Sequence, residues 1–190
     1  MNLVLAGLGA VFFLLKKKVQ LPLLNSFLNY RYKQKMAQIG AGVRFNGVSH
    51  IDGYDSVVIE DNVHIGNNAF IKGEGGLKIG ENTHISRNLV LYTINHDYHG
   101  LRLPYDEKQL KRPVVIGRNV WIGMNVVILP GTTIGEGAII GAGSTVYGDI
   151  EPLSIVGAAK PTTIKYRDKV HYDSLDQKRS YGGRNGEEMT

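Results

Sequence analysis

The sequence predicts an all-β parallel solenoid, and three features lead to this fold class. Aliphatic residues recur every six positions in the second half of the chain, at Ile116, Ile122, Ile128, Ile134, Ile140 and Val146. The third residue after each of them readily adopts a positive φ angle, namely Asn119, Asn125, Gly131, Gly137, Gly143 and Asp149. The same register recurs upstream. Each hexad therefore predicts a short strand closed by a tight corner, and three hexads make one triangular turn.

The upstream register predicts about five turns in all. Triplets begin at Ile39, Ile59 and Ile79, ahead of those that begin at Ile116 and Ile134. The first three recur every twenty residues and the last two every eighteen, which predicts two-residue insertions at one corner of the early turns. The spacing alone leaves the handedness open, although parallel crossover connections are right-handed as a rule.

Residues 1–38 form an apolar and basic segment that is predicted to be helical. Residues 3–15 are all apolar or glycine, and three lysines follow at residues 16–18. As a helix, this apolar run spans about 20 Å, which is short of a hydrocarbon core of about 30 Å. A second apolar and basic stretch, residues 21–36, resembles an interfacial helix that is attracted to anionic lipid.

We expect this segment to associate with a membrane, with the rest of the chain on the cytoplasmic side by the positive-inside rule. Its charges follow the apolar run, which is not the order of a cleaved signal peptide. The alternative is a helix that packs on the open end of the solenoid and covers its exposed strand edges.

Composition excludes several classes of function. The chain has no cysteine, which excludes disulfides, thiolate metal sites and a cysteine nucleophile, and which is compatible with the cytoplasm. Residues 1–38 carry six basic residues and no Asp or Glu, so their formal charge is +6. The whole chain has a formal charge of +5. The remainder is nearly neutral, which points away from a nucleic-acid groove.

The repeat is interrupted by a segment of about residues 95–113. A loop held on a rigid scaffold is where functional residues tend to lie. This loop contains Asn95, His96, Asp97 and His99, and histidine is the side chain best suited to proton transfer near neutral pH. Two solvated surface histidines, or a metal site, are the alternatives that the residues leave open.

Three stretches of the chain resemble one known family. The run from Pro113 to Gly131, which contains Trp121-Ile-Gly, the later run 140–146, and the Asn-His-Asp that begins at Asn95 are similar to the hexapeptide-repeat sugar O-acetyltransferases. That family includes maltose, galactoside, capsule and lipopolysaccharide acetyltransferases. The resemblance covers about residues 39–167. It implies a left-handed parallel β-helix, a homotrimer, and acetyl-CoA bound between subunits as the acyl donor, with no metal expected.

The resemblance also implies roles for individual residues. His96 is expected to be the general base, while Asn95, Asp97 and His99 would orient it or contact the acceptor. The residues expected to bind acetyl-CoA are Trp121, Met124, Ala142, Tyr147, Gly148, Lys160 and Lys165. The family often carries a Thr-Lys pair where this chain has Tyr147 and Gly148, which puts the phosphate contacts there in doubt.

The register makes one further prediction about the outer surface. His64, His84 and Trp121 each come directly before an inward aliphatic residue, in successive turns. We therefore expect the three side chains to form one outward-facing column.

The chain is thus expected to consist of the N-terminal segment 1–38, a β-helix acyltransferase domain over 39–167 and a disordered polar tail over 168–190. The expected activity is acetyl-CoA-dependent O-acetylation of a sugar hydroxyl, in a surface-polysaccharide or lipid-linked glycan precursor at the cytoplasmic face of the cell membrane. A transferase acting on a free sugar, serine or an antibiotic is one alternative. A carbonic-anhydrase-like metalloenzyme, which needs three converging histidines, and a non-catalytic scaffold are the others.

Overall fold

The computed structural model describes residue 13 and residues 15–158 and 163–182. The chain divides into two compact units, Met1–Ala158 and Ala159–Thr190. In the first unit, a π-helical turn over Lys16–Gln20 leads into helix α1, Leu21–Lys33. The described part of the chain contains no helix that is both long enough and apolar enough to cross a membrane.

Nineteen short strands follow α1 in the described residues. The first three turns contain β1 (Gln38–Ile39), β2 (Arg44–Asn46), β3 (His50–Asp52), β4 (Val57–Ile59), β5 (His64–Gly66), β6 (Phe70–Lys72), β7 (Leu77–Ile79), β8 (His84–Ile85) and β9 (Val90–Tyr92). A hairpin of β10 (Ile94–His96) and β11 (Gln109–Lys111) comes next. The later turns contain β12 (Val114–Ile116), β13 (Trp121–Ile122), β14 (Val127–Ile128), β15 (Thr133–Ile134), β16 (Ile139–Ile140), β17 (Thr145–Val146), β18 (Asp149–Ile150) and β19 (Ile155–Val156).

The strands form the three faces of a left-handed parallel β-helix, so the predicted solenoid is confirmed. Face 1 consists of β1, β4, β7, β12, β15 and β18; face 2 of β2, β5, β8, β13, β16 and β19; and face 3 of β3, β6, β9, β14 and β17. All pairings within the faces are parallel and in register, so that Ile59 lies beside Ile79 and Ile65 beside Ile85. The repeated aliphatic side chains fill the interior and are almost completely buried.

The helix has about six turns, one more than the sequence predicted. β18 and β19 form an incomplete sixth turn, in which Ile150 pairs beside Ile134 and Val156 beside Ile140. This turn escaped the six-residue register because its first inward residue follows Val146 after only four positions. The corner prediction for Asp149 is wrong for the same reason: it lies in β18, and the positive φ of 68° belongs to the preceding residue, Gly148.

The other predicted corners are confirmed. Positive φ angles occur at Asn62, Asn68, Asn82, Asn88, Asn119, Asn125, Gly42, Gly131, Gly137 and Gly143. The asparagines also bond to one another from turn to turn: the amide of Asn68 donates to Asn88 over 3.0 Å, and that of Asn88 donates to Asn125 over 2.8 Å. Asparagine therefore combines tolerance of the left-handed conformation with a ladder of side-chain hydrogen bonds.

The extra residues of the early turns all fall at the corner between face 3 and face 1, as the spacing predicted. A 3₁₀ turn, Tyr54–Ser56, lies between β3 and β4, and residues 73–76 lie between β6 and β7. The β10–β11 hairpin leaves the helix at the same corner, between turns 3 and 4. This corner is the place where the fold tolerates insertions.

Helix α1 caps the first turn of the β-helix. Leu28 and Tyr32 are buried in the core, and the Tyr32 ring lies 4.5 Å from that of Phe45. The Asn29 side chain accepts from the N–H of Phe45 (2.9 Å) and donates to its carbonyl (3.1 Å), while the Tyr32 hydroxyl donates to the carbonyl of Ser49 (2.8 Å). These contacts give partners to backbone groups that would otherwise form an open sheet edge. One side of α1 therefore packs on the open end of the β-helix, as the alternative prediction for this segment stated.

The second unit contains helix α2, Lys169–Gln177, within the tail that was predicted to be disordered. The Asp168 side chain accepts a hydrogen bond from the N–H of His171 and caps the helix N-terminus. Lys169 and Asp173 add an ion pair at i,i+4 spacing. Low apolar content led to the prediction of disorder, but a local cap and a local ion pair need no apolar core.

Candidate active site

The candidate site is built on the hairpin that interrupts the β-helix. β10 and β11 pair antiparallel, with Asn95 opposite Leu110 and His96 opposite Gln109. The hairpin base is continuous with the core, because Ile94 is buried and the N–H of Arg112 donates to the carbonyl of Thr93 (2.8 Å). The loop therefore has a fixed stem, which holds His96 close to the β-helix.

His96 is solvent-exposed and packs against one aromatic ring. The centroids of His96 and Tyr105 lie 3.8 Å apart with an interplanar angle of 17°, so the rings are stacked. The Asn95 side-chain oxygen accepts from the N–H of His96 over 2.9 Å. The ring nitrogens of His96 form no hydrogen bond with protein groups in the described residues, which leaves them open to a substrate.

Asp97 forms no side-chain hydrogen bond with His96 in the described residues. Its carboxylate accepts from the Lys108 ammonium (3.1 Å) and from the backbone N–H of His99 (3.1 Å). The hydrogen bond and ion pair with Lys108 hold the pKa of Asp97 below its usual value of 3.8. Asp97 therefore fastens the two arms of the hairpin, and the His99 ring lies 4.3 Å from the Tyr98 ring at an interplanar angle of 44°.

The predicted column on face 2 is present. His64 pairs beside His84, and His84 beside Trp121, with all three side chains on the outer surface. The two histidine rings stack at 4.3 Å. Burial, with repulsion from His84 next in size, lowers the pKa of His64, which favours the neutral form of that imidazole. The Trp121 side chain stands above the pair and is 57% exposed.

Met124 and Ala142 lie near Trp121, at the corner between face 2 and face 3. The N–H of Gly143 donates to the carbonyl of Met124 over 2.9 Å, so the two corners are stacked in successive turns. Both Met124 and Ala142 are exposed. Together with Trp121 they form a surface of one large aromatic ring beside small and flexible apolar groups.

Tyr147 and Gly148 belong to a different part of the surface. They line a cleft of about 840 Å³ between the hairpin and the later turns, at the corner between face 3 and face 1. Asn95, Arg112 and Leu129 lie in the same cleft. The predicted acetyl-CoA contacts therefore fall into two groups, with Trp121, Met124 and Ala142 around face 2 and with Tyr147 and Gly148 beside the hairpin.

One copy of the chain does not bring His96 and Trp121 together. His96 leaves the prism at the corner between face 3 and face 1, and Trp121 projects from face 2, which is opposite that corner. The two residues therefore lie on opposite sides of the prism. Of the remaining predicted contacts, Lys160 lies outside the described residues, and Lys165 belongs to the second unit, Ala159–Thr190.

Comparison with known proteins supports the same fold and class. The model of the bacterial transferase hexapeptide (six repeats) matches residues 113–148, and that of the hexapeptide repeat of succinyl-transferase matches residues 56–93. A hexapeptide-repeat acetyltransferase from Vibrio cholerae O1 biovar eltor, solved with acetyl coenzyme A, is 27% identical with a TM-score of 0.62, over 71% of this chain and 74% of that one. The chain carries hexapeptide repeats and is an acyltransferase.

Two other solved structures are similar to the acyltransferase. A maltose O-acetyltransferase from Clostridium difficile 630 is 27% identical with a TM-score of 0.60, over 68% of this chain and 69% of that one. An N-acyltransferase from Bacillus cereus, in complex with dTDP-4-amino-4,6-dideoxyglucose and coenzyme A, is 19% identical with a TM-score of 0.54, over 80% and 96%. At that identity the second likeness concerns the fold alone. A comparison with curated protein sequences gave no significant match.

Several residues of the acyltransferase site were not found by reasoning from the sequence. Tyr105 stacks on His96, Lys108 fastens Asp97, and Arg112 lines the cleft. The insertion carries no repeat, so nothing in its spacing shows that residue 105 returns to residue 96. Within the described residues, no three His, Cys, Asp or Glu side chains converge as a metal site would require.

Proposed function

We propose that the chain transfers an acetyl group from acetyl-CoA to a sugar hydroxyl, with His96 as the general base. The observation that carries this proposal is the placement of one exposed imidazole, with unbonded ring nitrogens, on a fixed hairpin of a hexapeptide-repeat acyltransferase. The solved relatives at 27% identity, one complexed with acetyl coenzyme A and one a maltose O-acetyltransferase, support the donor and the acceptor class.

The proposed chemistry is a direct transfer. A neutral ring nitrogen of His96 removes the proton of the acceptor hydroxyl while its oxygen attacks the thioester carbonyl. A C–O bond forms, the C–S bond breaks, and the proton held by His96 passes to the departing thiolate of CoA. Stacking on Tyr105 limits rotation of the imidazole, which keeps the ring ready for the acceptor.

Acetyl-CoA is proposed to lie between copies of the chain. Trp121, Met124 and Ala142 offer an exposed surface that suits the pantetheine arm, but they lie on the opposite side of the prism from His96. A complete site therefore needs His96 from one copy and Trp121 from its neighbour. A closed ring in which each copy makes both contacts is satisfied by a homotrimer of triangular prisms.

His96→Ala is the direct test. We expect kcat to fall by about 10²–10⁴-fold with little change in the Kd of acetyl-CoA, because a general base contributes on that scale and does not hold the donor. His171→Ala is the matched control, since this exposed histidine lies in α2. The assay follows labelled acetyl transfer from acetyl-CoA to a panel of sugars and glycans, with serine and aminoglycosides included to test the small-molecule alternative. Near-normal turnover of His96→Ala on its best acceptor would eliminate the proposed base.

A mixing experiment tests the shared site. His96→Ala and Trp121→Ala chains, unfolded and refolded together, should regain part of the activity, because some interfaces then combine an intact His96 with an intact Trp121. Mixing without unfolding is the control. If the co-refolded pair stays as inactive as either variant, the two residues do not act across an interface.

We further propose that the N-terminal segment holds the enzyme on the cytoplasmic face of the cell membrane, where the acceptor is a lipid-linked glycan or surface-polysaccharide precursor. The side of α1 that faces away from the core exposes Leu23 (66%), Phe27 (59%) and Tyr30 (65%). Residues 1–38 contain six basic and no acidic residues, which favours an anionic lipid surface. Capping and membrane binding use opposite sides of the same helix.

Vesicle sedimentation tests this surface. We expect the full chain to bind vesicles that contain phosphatidylglycerol more strongly than pure phosphatidylcholine vesicles. The double variant Leu23→Gln/Phe27→Gln should lose most of that binding, because its outer side becomes polar while Leu28 and Tyr32 keep the cap in place. Leu153→Gln/Ile155→Gln, at the other end of the β-helix, is the matched control. Equal binding by both double variants would contradict the proposal.

A further inference from the structure

The cleft beside the hairpin has the charge of an anion-binding site. It measures about 840 Å³, and its lining includes Lys111 and Arg112 but no Asp or Glu. The two tyrosines of the lining, Tyr98 and Tyr147, add exposed aromatic faces. Two adjacent cations without a carboxylate concentrate positive potential in a concave surface, where that potential is screened less than on a flat one.

Arg112 is held in this cleft by its backbone. Its N–H donates to the carbonyl of Thr93 (2.8 Å), and its carbonyl accepts from the N–H of Gly131 (3.2 Å), so it is attached to both the third and the fourth turns. A Cβ placed on Gly131 would lie 3.5 Å from the Cβ and 3.6 Å from the Cδ of Arg112. The arginine stem therefore runs alongside Gly131, which lines the same cleft.

Three other cations of the prism, unlike Lys111 and Arg112, form ion pairs, whereas Arg44 and Arg87 have none in the described residues either. Arg118 pairs with both Glu81 and Glu136, Lys72 with Asp52 and Glu74, and Lys78 with Glu60. Neither Lys111 nor Arg112 forms an ion pair within the part of the chain that the structure describes. Two positioned cations that lack an internal partner are available to an external one.

The other residues that line the cleft carry no charge. Tyr147 and Gly148, which follow β17, carry no charge. Both residues line the same cleft as Arg112. The positive charge of the cleft thus comes from Lys111 in β11 and from the residue that follows it, Arg112.

We propose that Lys111 and Arg112 bind a phosphate or diphosphate group of a substrate in this cleft. The inference rests on the proposed transferase function, which offers two sources of that chemistry. One is the phosphates of acetyl-CoA from the neighbouring copy's site, and the other is a phosphate that links the acceptor sugar to its carrier. The guanidinium suits the two oxygens of a phosphate in a bidentate contact, and the ammonium adds a second charge.

Calorimetric titration of the full chain with inorganic pyrophosphate tests the site without any need for turnover. Arg112→Gln should weaken pyrophosphate binding by roughly tenfold or more, since a hydrogen bond to a charged group is lost. Arg112→Lys should retain part of the affinity, and Lys111→Gln should also weaken it. Lys178→Gln is the matched control, because it removes one exposed cation from the second unit. Its pyrophosphate affinity should equal that of the unmodified chain.

Titration of the same variants with acetyl-CoA separates the two sources. A parallel loss of acetyl-CoA affinity in Arg112→Gln, with competition by pyrophosphate, assigns the cleft to the donor. Unchanged acetyl-CoA affinity, with pyrophosphate binding lost, assigns it to a phosphorylated acceptor. Absence of pyrophosphate binding to the unmodified chain, or equal binding by Arg112→Gln, would overturn the proposal. If pyrophosphate binds through Arg112 but no acetyl group is transferred, the anion site stands and the transferase function fails.

Discussion

Asn29 offers a sharp test of how the β-helix is closed at its N-terminal end. Its side chain takes the place of a neighbouring strand, because it accepts from the N–H of Phe45 (2.9 Å) and donates to its carbonyl (3.1 Å). Asn29→Ala leaves both groups without a partner in a half-buried position. An unmade hydrogen bond of this kind costs about 1–3 kcal/mol. The better helix propensity of alanine returns about half a kcal/mol, so the net loss should be about 2 kcal/mol.

The measurement combines urea denaturation with hydrogen exchange. A loss of about 2 kcal/mol lowers the melting temperature by roughly 4–8 °C in a chain of this size. Because a solenoid can fray at one end, exchange of the Phe45 amide should increase even where global unfolding changes less. Asn46→Ala is the matched control, since Asn46 is exposed and forms no side-chain hydrogen bond within the described residues. If Asn29→Ala resembles this control in both measurements, the helix does not act as a substitute strand.

Three further predictions concern the hairpin and the corners. Tyr105→Ala should reduce kcat about two- to tenfold at an unchanged Kd of acetyl-CoA, whereas Tyr105→Phe keeps the ring that stacks on His96 and should retain activity. Because Lys108 holds the pKa of Asp97 below 3.8, the Asp97–Lys108 contact should persist at pH 3.8 and be lost as the pH falls through that lower value. The protection factor of the His99 amide, which is its exchange rate relative to the intrinsic rate at the same pH, should report this loss. In Asp97→Asn this protection should already be lower at neutral pH. A protection factor that does not change with pH in the unmodified chain would contradict the prediction. Asn125→Ala should be less stable to urea than Asn125→Gly by about 1 kcal/mol, because both lose the bond to Asn88 but only alanine is strained at a φ of 56°; equal stability would show that φ does not decide the choice of residue.

The sequence predicted the parts of the site that follow the repeat. His64, His84 and Trp121 share one phase of the hexad, so their column followed from counting. The sixth turn shows the limit of this method, because a corner shortened by two residues removed Ile150 and Val156 from the register although both pair in the sheets.

The hairpin contacts lay beyond the reach of the repeat. Asp97 was expected to orient His96 or to contact the acceptor, and its carboxylate contacts Lys108 across the hairpin. Which residues meet across a loop depends on the pairing of β10 with β11, and no periodicity encodes that register.

Local conformational preference and hydrophobic period determined the fold of this chain from its sequence. Asparagine and glycine favour positive φ at each corner, and one aliphatic residue per hexad must be buried, so the coil follows from short-range physics. The tertiary structure alone decided that α1 closes the first turn, that His96 and Trp121 lie on opposite sides of the prism, and that Arg112 shares a cleft with Tyr147. Those relations join residues far apart in the chain, and they arise only when the three faces close around a common core.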